Sequence, residues 1–181
     1  SEPNLAEYGL EQLRTMLDFD CAWYGWTLQH NDHTRVYASS TIDMPHSFVD
    51  DWNIVSDQDL VAKDLRRDRR KVGLYSRNQR AQTDEMLNIS ERYGLRKWAC
   101  AVHGRPDRAT TFFVSLYRTD PHGAEWNSEE IQLLQCTVDH IFLALQAAFS
   151  RESPDADDRG ADLIVDPSGF AYLGLARSGP L

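Results

Sequence analysis

A few residues have the side chains that catalysis or metal binding would require. His30, Asp32 and His33 stand close together and carry groups that ligate transition metals. They fall at a turn between two strand-like segments, so an exposed hairpin turn is the simpler interpretation. Four aspartates between residues 50 and 59 could form an acid/base pair. On a short helix such carboxylates typically form a cap and a solvated face, and we predict neither a metal site nor a catalytic pair.

The three cysteines are a second group of residues that could take part in catalysis or form disulfides. Cys21, Cys100 and Cys136 are odd in number, widely spaced and without a CxxC pair. This pattern fits no disulfide framework and indicates buried thiols in a reducing compartment, so we expect a cytoplasmic protein. A sulfoxide reductase of GAF type would need clustered reactive cysteines, and motifs such as the P-loop and G-x-S-x-G do not occur. We therefore predict a protein that is not an enzyme and uses no cofactor.

The charge of the chain limits its partners. Its 181 residues include 28 acidic and 19 basic side chains, a formal net charge of −9. An acidic surface repels phosphates, so we predict no direct contact with DNA. The one basic run, 66–71, has two interpretations, a phosphate contact or a solvated helix end, and the acidity of the rest favours the second. The sequence contains no apolar run of about 18 residues, and we predict no membrane contact.

Hydrophobic periodicity divides the chain into helices and strands. Apolar spacing predicts a helix over 4–18 and a long one from about 127 to 149, which Asn127 and Glu130 begin as a capping box. The other predicted elements are strands over 19–28 and 35–39, short helices after Pro45 and after Asp57 or Asp59, an extended piece over 72–76, a helix over 84–93 capped by Thr83 and ended by Gly94, and strands over 97–103 and 111–118.

This order of elements predicts an α/β fold of the α+β type, a central antiparallel sheet sandwiched between helices (α-β-α). We expect the first and last long helices to cover one face, and the short middle helices to roof a cavity on the other. Composition further divides the chain into a domain over 1–150, a polar linker over 151–160 and a hairpin over 161–181.

Several segments carry a resemblance to a known family. They are Phe48-x3-Trp52 with the helix start at Gln58-Asp59-Leu60-Val61, the helix end Arg92-Tyr93-Gly94-Leu95-Arg96, the strand from Phe112 to Tyr117, and Trp126-Asn127-Ser128-Glu129-Glu130 before the long helix. In this order the chain resembles the autoinducer-binding domain of LuxR-type transcription regulators. The resemblance covers about residues 5–175.

The resemblance implies a GAF/PAS-like fold and a quorum-sensing type of function. Residues 1–150 would be a sensor domain that binds a small molecule and forms a homodimer. DNA would be contacted only through a helix-turn-helix domain that is not in this chain, and the hairpin over 161–181 would lead toward it. The ligand-binding Asp of the family would correspond here to Asp57 or Asp59.

Departures from the family pattern bear on the ligand. Gln58-Asp59 stands where the family has Asp-Pro, Tyr75 takes the position of a tryptophan, and Trp98 replaces a small glycine. A reshaped pocket of this kind predicts a ligand other than a standard acyl-homoserine lactone. The alternative is a free-standing interaction protein of the same fold, similar to an anti-activator, whose pocket is filled by its own side chains.

Strand alternation indicates which residues could wall the pocket. Within 19–28 it places Tyr24 and Trp26 on one face and Cys21 and Trp23 on the other. We expect Tyr24 and Trp26 to face the cavity, because large rings with a polar group suit a ligand site. The predicted ligand-binding residues are Tyr24, Trp26, Phe48, Trp52, Asp59, Tyr75, Trp98, Phe113 and Ser115.

Overall fold

The structure is a computed structural model that describes residues 5–30, 33–68, 72–76, 81–104, 110–152, 161–165 and 171–175. Helices α1 to α5 span Leu5–Arg14, Ser47–Val55, Leu60–Arg67, Asp84–Arg92 and Ser128–Glu152. Strands β1 to β7 span Cys21–His30, His33–Ile42, Gly73–Ser76, Lys97–His103, Thr110–Arg118, Ala161–Val165 and Ala171–Leu175. A single 3₁₀ turn, Ser56–Gln58, joins α2 to α3.

The first five strands form one antiparallel sheet in the order β2-β1-β5-β4-β3. Every neighbouring pair is antiparallel, and helices cover both faces, so the predicted α+β sandwich is confirmed. Strands β6 and β7 pair antiparallel with each other, as the sequence predicted. Residues 153–160 of the predicted linker lie outside the described residues, and the division into sensor domain, linker and hairpin stays a prediction.

Helices α1 and α5 cover one face of the sheet. Leu10 and Leu13 on α1, and Leu134 and Val138 on α5, are completely buried there. The spacing of three or four residues between these side chains is the apolar stripe that the sequence showed. One further contact fixes α5 to the sheet, since His103 Nδ1 at the end of β4 lies 2.6 Å from the carboxylate of Asp139.

The start of α5 is the predicted capping box. Asn127 Oδ1 accepts hydrogen bonds from the backbone N–H groups of Glu129 and Glu130, at 2.9 and 3.0 Å. The Glu130 carboxylate accepts one in return from the backbone of Asn127 at 3.0 Å. These bonds pair donors that the first helical turn leaves without partners. The helix then continues to Glu152, three residues beyond the predicted end.

Helices α2, α3 and α4 cover the opposite face, as predicted. Thr83 stands at the N-cap of α4, but its hydroxyl donates to the carbonyl of Gln58 at 3.2 Å instead of capping its own helix. Gly94 ends α4 with a φ of 67°, a conformation that favours glycine. The amino acids after this turn enter β4 at Lys97, the residue at which the sequence predicted that strand to begin.

The close approach of β1 and β2 depends on Gly25. A Cβ atom at this position would lie 2.2 Å from the carbonyl oxygen of Ala38 and 2.6 Å from Cα of Ser39. Only glycine allows the two backbones to approach so closely. A register shift follows directly, between Trp26 and Thr27, so the crowding coincides with a bulge in the pairing.

Candidate ligand pocket

A cavity of about 80 Å³ lies between the sheet and the layer formed by α2, α3 and α4. Its surface is mainly apolar and aromatic, with a few polar groups, which is the usual composition of a small-molecule site. The lining residues are Trp23, Thr27, Thr34, Val36, Phe48, Trp52, Asp59, Val61, Ala62, Leu65, Arg66, Met86, Ser90, Leu95, Trp98, Cys100, Val102, Thr111, Phe113, Ser115 and Tyr117. A single enclosed water needs roughly 10–15 Å³, so the room exceeds one water.

Strand register builds the floor of this pocket. Ser115 on β5 lies directly opposite Trp23 on β1 and opposite Cys100 on β4. Two residues further along β5, on the same face, Tyr117 lies directly opposite Trp98 on β4. Side chains directly opposite each other on antiparallel strands have Cβ atoms about 5 Å apart. The floor therefore contains a row of an indole, a hydroxyl and a thiol beside a second row of two large rings.

Aromatic side chains pack edge to face at the centre of the pocket. The ring of Trp23 meets the rings of Phe48, Trp52 and Phe113 at centroid distances of 5.3, 5.0 and 4.7 Å, with interplanar angles between 68° and 86°. Such T-shaped contacts are the favoured geometry for aromatic pairs. Within the described part of the chain, the buried Nε1 of Trp23 has no hydrogen-bond acceptor.

Asp59 places a carboxylate in the roof of the pocket. It is the N-cap of α3, and its Oδ1 accepts from the backbone N–H groups of Val61 and Ala62, at 2.8 and 3.2 Å. The amide of Gln82 donates to the same oxygen at 3.0 Å. Oδ2 accepts from the indole N–H of Trp52, also at 3.0 Å. Four protein donors thus hold this carboxylate, and only Oδ2 keeps a lone pair for a further donor.

Burial suppresses the ionisation of the other groups on the floor. Desolvation raises the pKa of the Cys100 thiol to about 12, and a hydrogen bond with Ser115 opposes this rise only in part. Desolvation likewise raises the pKa of Tyr117 well above its ordinary value. Both groups are therefore neutral at physiological pH, and the Cys100 thiol lacks the thiolate character of a reactive cysteine.

The solvent-facing edge of the pocket lies near the end of α3. Lining residues Thr27, Val36, Ala62 and Arg66 are only half-buried, in contrast to the rings at the centre. Arg66 Nη1 donates to the hydroxyl of Thr34 at 3.3 Å. The predicted basic run therefore brings one guanidinium to this edge, while residues 69–71 lie outside the described part of the chain.

The structure brings together six of the nine predicted ligand-binding residues. Phe48, Trp52, Asp59, Trp98, Phe113 and Ser115 line the cavity. Tyr75 lies behind the wall, where its ring stacks on that of Trp98 at a centroid distance of 3.9 Å. Whether these residues bind a ligand stays a prediction.

The prediction that Tyr24 and Trp26 face the cavity is wrong. Both lie on the other face of β1, in the core beneath α1 and α5. Trp26 packs there against Phe112 and Phe142, at 5.3 and 5.8 Å. The side chains of β1 alternate as predicted, but the two faces of the strand are exchanged relative to the prediction. Tyr24 and Trp26 face the layer of α1 and α5, because Phe142 and the other apolar side chains of that layer pack well against large rings.

Several residues that line the pocket are not among the predicted ligand-binding residues. Trp23 lies on the face of β1 opposite to the one that was predicted to wall the pocket. Assigning the other face to the pocket would have included it. Tyr117 shares the face of Phe113 and Ser115 at a spacing of two, which was a usable signal. Arg66 and Met86 reach the pocket from α3 and α4, and only the helix packing reveals that.

Neither a metal site nor a membrane-spanning helix is found among the described residues. No group of three or more His, Cys, Asp or Glu side chains there is placed to hold a metal ion. Asp32 and the side chains of His30 and His33 are not among them. None of the helices searched combines the length and the apolar character needed to cross a membrane.

Other proteins share the fold that carries this pocket, a five-stranded antiparallel sheet with helices on both faces. No family model matches the chain, and no curated protein does. Solved structures do match. The GAF domain of a two-component sensor histidine kinase from Bacillus halodurans is 15% identical, with 84% of this chain and 98% of that chain aligned and a TM-score of 0.52.

LuxR-type structures share the same fold. CepR2, an N-acylhomoserine-lactone-dependent LuxR-family factor from Burkholderia cenocepacia, is 11% identical over 83% of this chain and 97% of its own, with a TM-score of 0.53. Escherichia coli SdiA is 17% identical over 87% of this chain, with a TM-score of 0.62. The chain spans only 64% of the SdiA chain. A second SdiA structure, in complex with octanoyl-rac-glycerol, is 19% identical over 80% of this chain and 59% of its own, with a TM-score of 0.53.

These comparisons confirm the GAF-like fold and the resemblance to LuxR-type autoinducer-binding domains at the level of the fold. The chain has the architecture that both groups of proteins share.

Proposed function

We propose that residues 1–150 form the cytoplasmic ligand-sensing and dimerisation domain of a LuxR-type transcriptional regulator, and that the ligand is a small molecule other than a standard acyl-homoserine lactone. The domain has no catalytic role in this proposal. DNA would be contacted through a helix-turn-helix segment outside these residues.

The state of Asp59 is the observation that carries the proposal. A carboxylate lies in the roof of an aromatic pocket, one position after the place where the family resemblance expects the residue that recognises the ligand. Four protein donors already hold it, including the indole of Trp52 and the amide of Gln82. Such a carboxylate acts first as a structural connection between α2, α3 and the segment before α4. A ligand therefore finds fewer free acceptors here than a signature Asp would offer.

Exposed apolar residues support the dimerisation part. Tyr8 on α1 and Leu143 on α5 are 57% and 54% exposed, on the two helices that cover the same face of the sheet. An interface formed by this face of two copies would cover both side chains.

Native mass spectrometry of the protein purified from its own host tests the proposal. A bound molecule that leaves on denaturation, together with a dimer mass, is the expected result. A protein that is uniformly free of any bound molecule, even in extracts where the regulator is active, would contradict ligand sensing.

The small volume favours a second candidate, a free-standing interaction protein whose pocket is closed by its own side chains. Tyr75 and Trp98 stack at 3.9 Å where the family resemblance expects more room. In this case the same mass spectrum would contain a different protein partner and no small molecule.

A further inference from the structure

The indole N–H of Trp23 is a buried donor without an acceptor among the described residues. Trp23 is 3% exposed and lines the pocket from the floor. Buried donors in proteins are nearly always paired with protein groups, water or a ligand, because an unpaired one destabilises the folded state. Arg14 Nε and Trp126 Nε1 are also buried donors without an acceptor among the described residues, but of the three only Trp23 belongs to the lining of the pocket, so a partner within the pocket is inferred for its N–H.

Several other polar groups of the pocket have protein partners, unlike the Trp23 N–H. The neighbouring indole of Trp52 donates to Asp59, and the Ser90 hydroxyl donates to the carbonyl of Met86 at 2.7 Å. Ser115 on β5 lies directly opposite Trp23 on one side and Cys100 on the other. Around Trp23 itself lie three rings, and ring faces are at best weak acceptors.

Resting on the proposed sensor function, we propose that the Trp23 N–H anchors the ligand, and that the ligand is a neutral, largely apolar molecule with a carbonyl-type oxygen. The oxygen accepts the indole hydrogen bond, and the apolar body packs among the rings. Ser115 lies directly opposite Trp23 on the neighbouring strand, so its hydroxyl is the second polar group that we assign to this end of the ligand.

The electrostatics of the pocket select against an anion. The carboxylate of Asp59 lies in the roof, and the only guanidinium among the described lining residues, that of Arg66, lies at the solvent-facing edge. An anionic group at the floor would be desolvated beside a fixed negative charge. Because Nε1 is covered in the present pocket, the ligand reaches it by displacing one of the surrounding rings and enlarging the cavity of about 80 Å³.

A matched pair of probes tests this inference. Acetophenone and ethylbenzene have the same ring and the same chain length and differ in the carbonyl. Their dissociation constants are measured by NMR titration of the ¹⁵N-labelled protein, with Trp23→Phe used to assign the Trp23 indole signal. We expect acetophenone to move that signal downfield, and the preference for acetophenone over ethylbenzene to fall about tenfold in Trp23→Phe, the size of one net hydrogen bond.

Trp26→Phe is the matched control, because it truncates an equally buried indole on the other face of the same strand. It should keep the preference of the wild type. A preference that is unchanged in Trp23→Phe, an unmoved Trp23 signal, or no binding of either probe up to its solubility limit would overturn the inference. Probes that bind the pocket without using Trp23 leave the sensor function intact, whereas absence of a native ligand in mass spectrometry counts against that function alone.

Should Trp23→Phe not fold, the wild-type protein still decides the question. The Trp23 indole proton is then assigned through its proximity to the ring of Phe113, which lies 4.7 Å away between centroids. A downfield shift with acetophenone and none with ethylbenzene supports the inference, and equal shifts overturn it.

Discussion

The indole N–H of Trp52 donates a 3.0 Å hydrogen bond to Oδ2 of Asp59. Both residues are about 95% buried, and the bond joins α2 to the first turn of α3 across the roof of the pocket. Asp59 is at the same time the N-cap of α3. One carboxylate thus holds the roof together and limits what a ligand finds there.

Replacing Asp59 should therefore destabilise the whole domain. Asp59→Ala removes the helix cap and leaves the buried Trp52 N–H without an acceptor, which together cost about 2–4 kcal/mol. Urea denaturation followed by tryptophan fluorescence measures the loss. Asp50→Ala is the control, since Asp50 is exposed on α2 and its removal should cost less than about 0.5 kcal/mol. Equal losses in the two variants would contradict the structural role of Asp59.

A buried ion pair anchors the start of α5. Arg118 Nη2 donates to Glu130 at 2.6 Å, and its guanidinium lies 3.8 Å over the ring of Trp126. Arg118 is only 5% exposed, so removing its partner leaves a buried charge uncompensated. We expect Glu130→Ala to lower the free energy of unfolding by about 3 kcal/mol. Glu129→Ala, on the exposed side of the same helical turn, should change it by less than about 0.5 kcal/mol, and a similar loss there would argue against the ion pair.

The stability of the domain should fall in alkaline solution. Burial raises the pKa of Cys21 and of Cys100 from 9.0 to about 12. Between pH 9 and 12 the unfolded chain loses these protons while the folded chain keeps them, so the free energy of unfolding decreases as the pH rises. A fully buried group contributes up to about 1.4 kcal/mol per pH unit.

Urea denaturation between pH 8 and 11 measures this dependence. Cys100→Ala should flatten the profile, and part of the slope should remain, because the pKa values of Cys21 and Tyr117 are also raised. Cys136→Ala, at an exposed position of α5, should leave the profile as it is. A wild-type profile that is flat above pH 9 would refute the prediction.

Gly25 should tolerate no side chain. Gly25→Ala drives a Cβ atom into the carbonyl of Ala38, which is backbone and cannot move without separating β1 from β2. We expect a loss of about 3 kcal/mol or more, measured by thermal or urea denaturation. Gly94→Ala is the comparison, because its φ of 67° strains alanine but no atom lies within 4 Å, and it should cost about 1 kcal/mol. If Gly25→Ala were the milder of the two, the close strand approach would be in doubt.

Much of the fold could be predicted because local rules act on short segments. The capping box of Asn127 and Glu130, the helix end at Gly94 and the boundaries of β4 all follow from the residues within one turn or strand. The order of these elements then restricts the arrangement to a sheet with helices on both sides. For the site, alternation along β5 grouped Phe113 with Ser115 correctly.

The rest depended on packing between distant segments. The alternation of strand side chains places Trp23 and Trp26 on opposite faces of β1, but it does not say which layer of helices covers each face. For this reason the wrong face of β1 was predicted to wall the pocket. No local pattern predicts that Gln82 and Trp52 both donate hydrogen bonds to Asp59, because these residues lie 23 and 7 positions away in the sequence.

By itself the sequence determined the helices, the strands, their caps and an acidic chain with an aromatic strand. Those features arise from backbone propensity, periodicity and composition, which neighbouring residues set. Tertiary structure alone decided that the pocket lies on the Trp23 side, that Asp59 is held by four donors, and that the Trp23 N–H has no acceptor among the described residues. Each of these features depends on which side chains come into contact when the sheet and the helical layers pack together. Those contacts are set by the whole domain and not by neighbouring residues in the sequence.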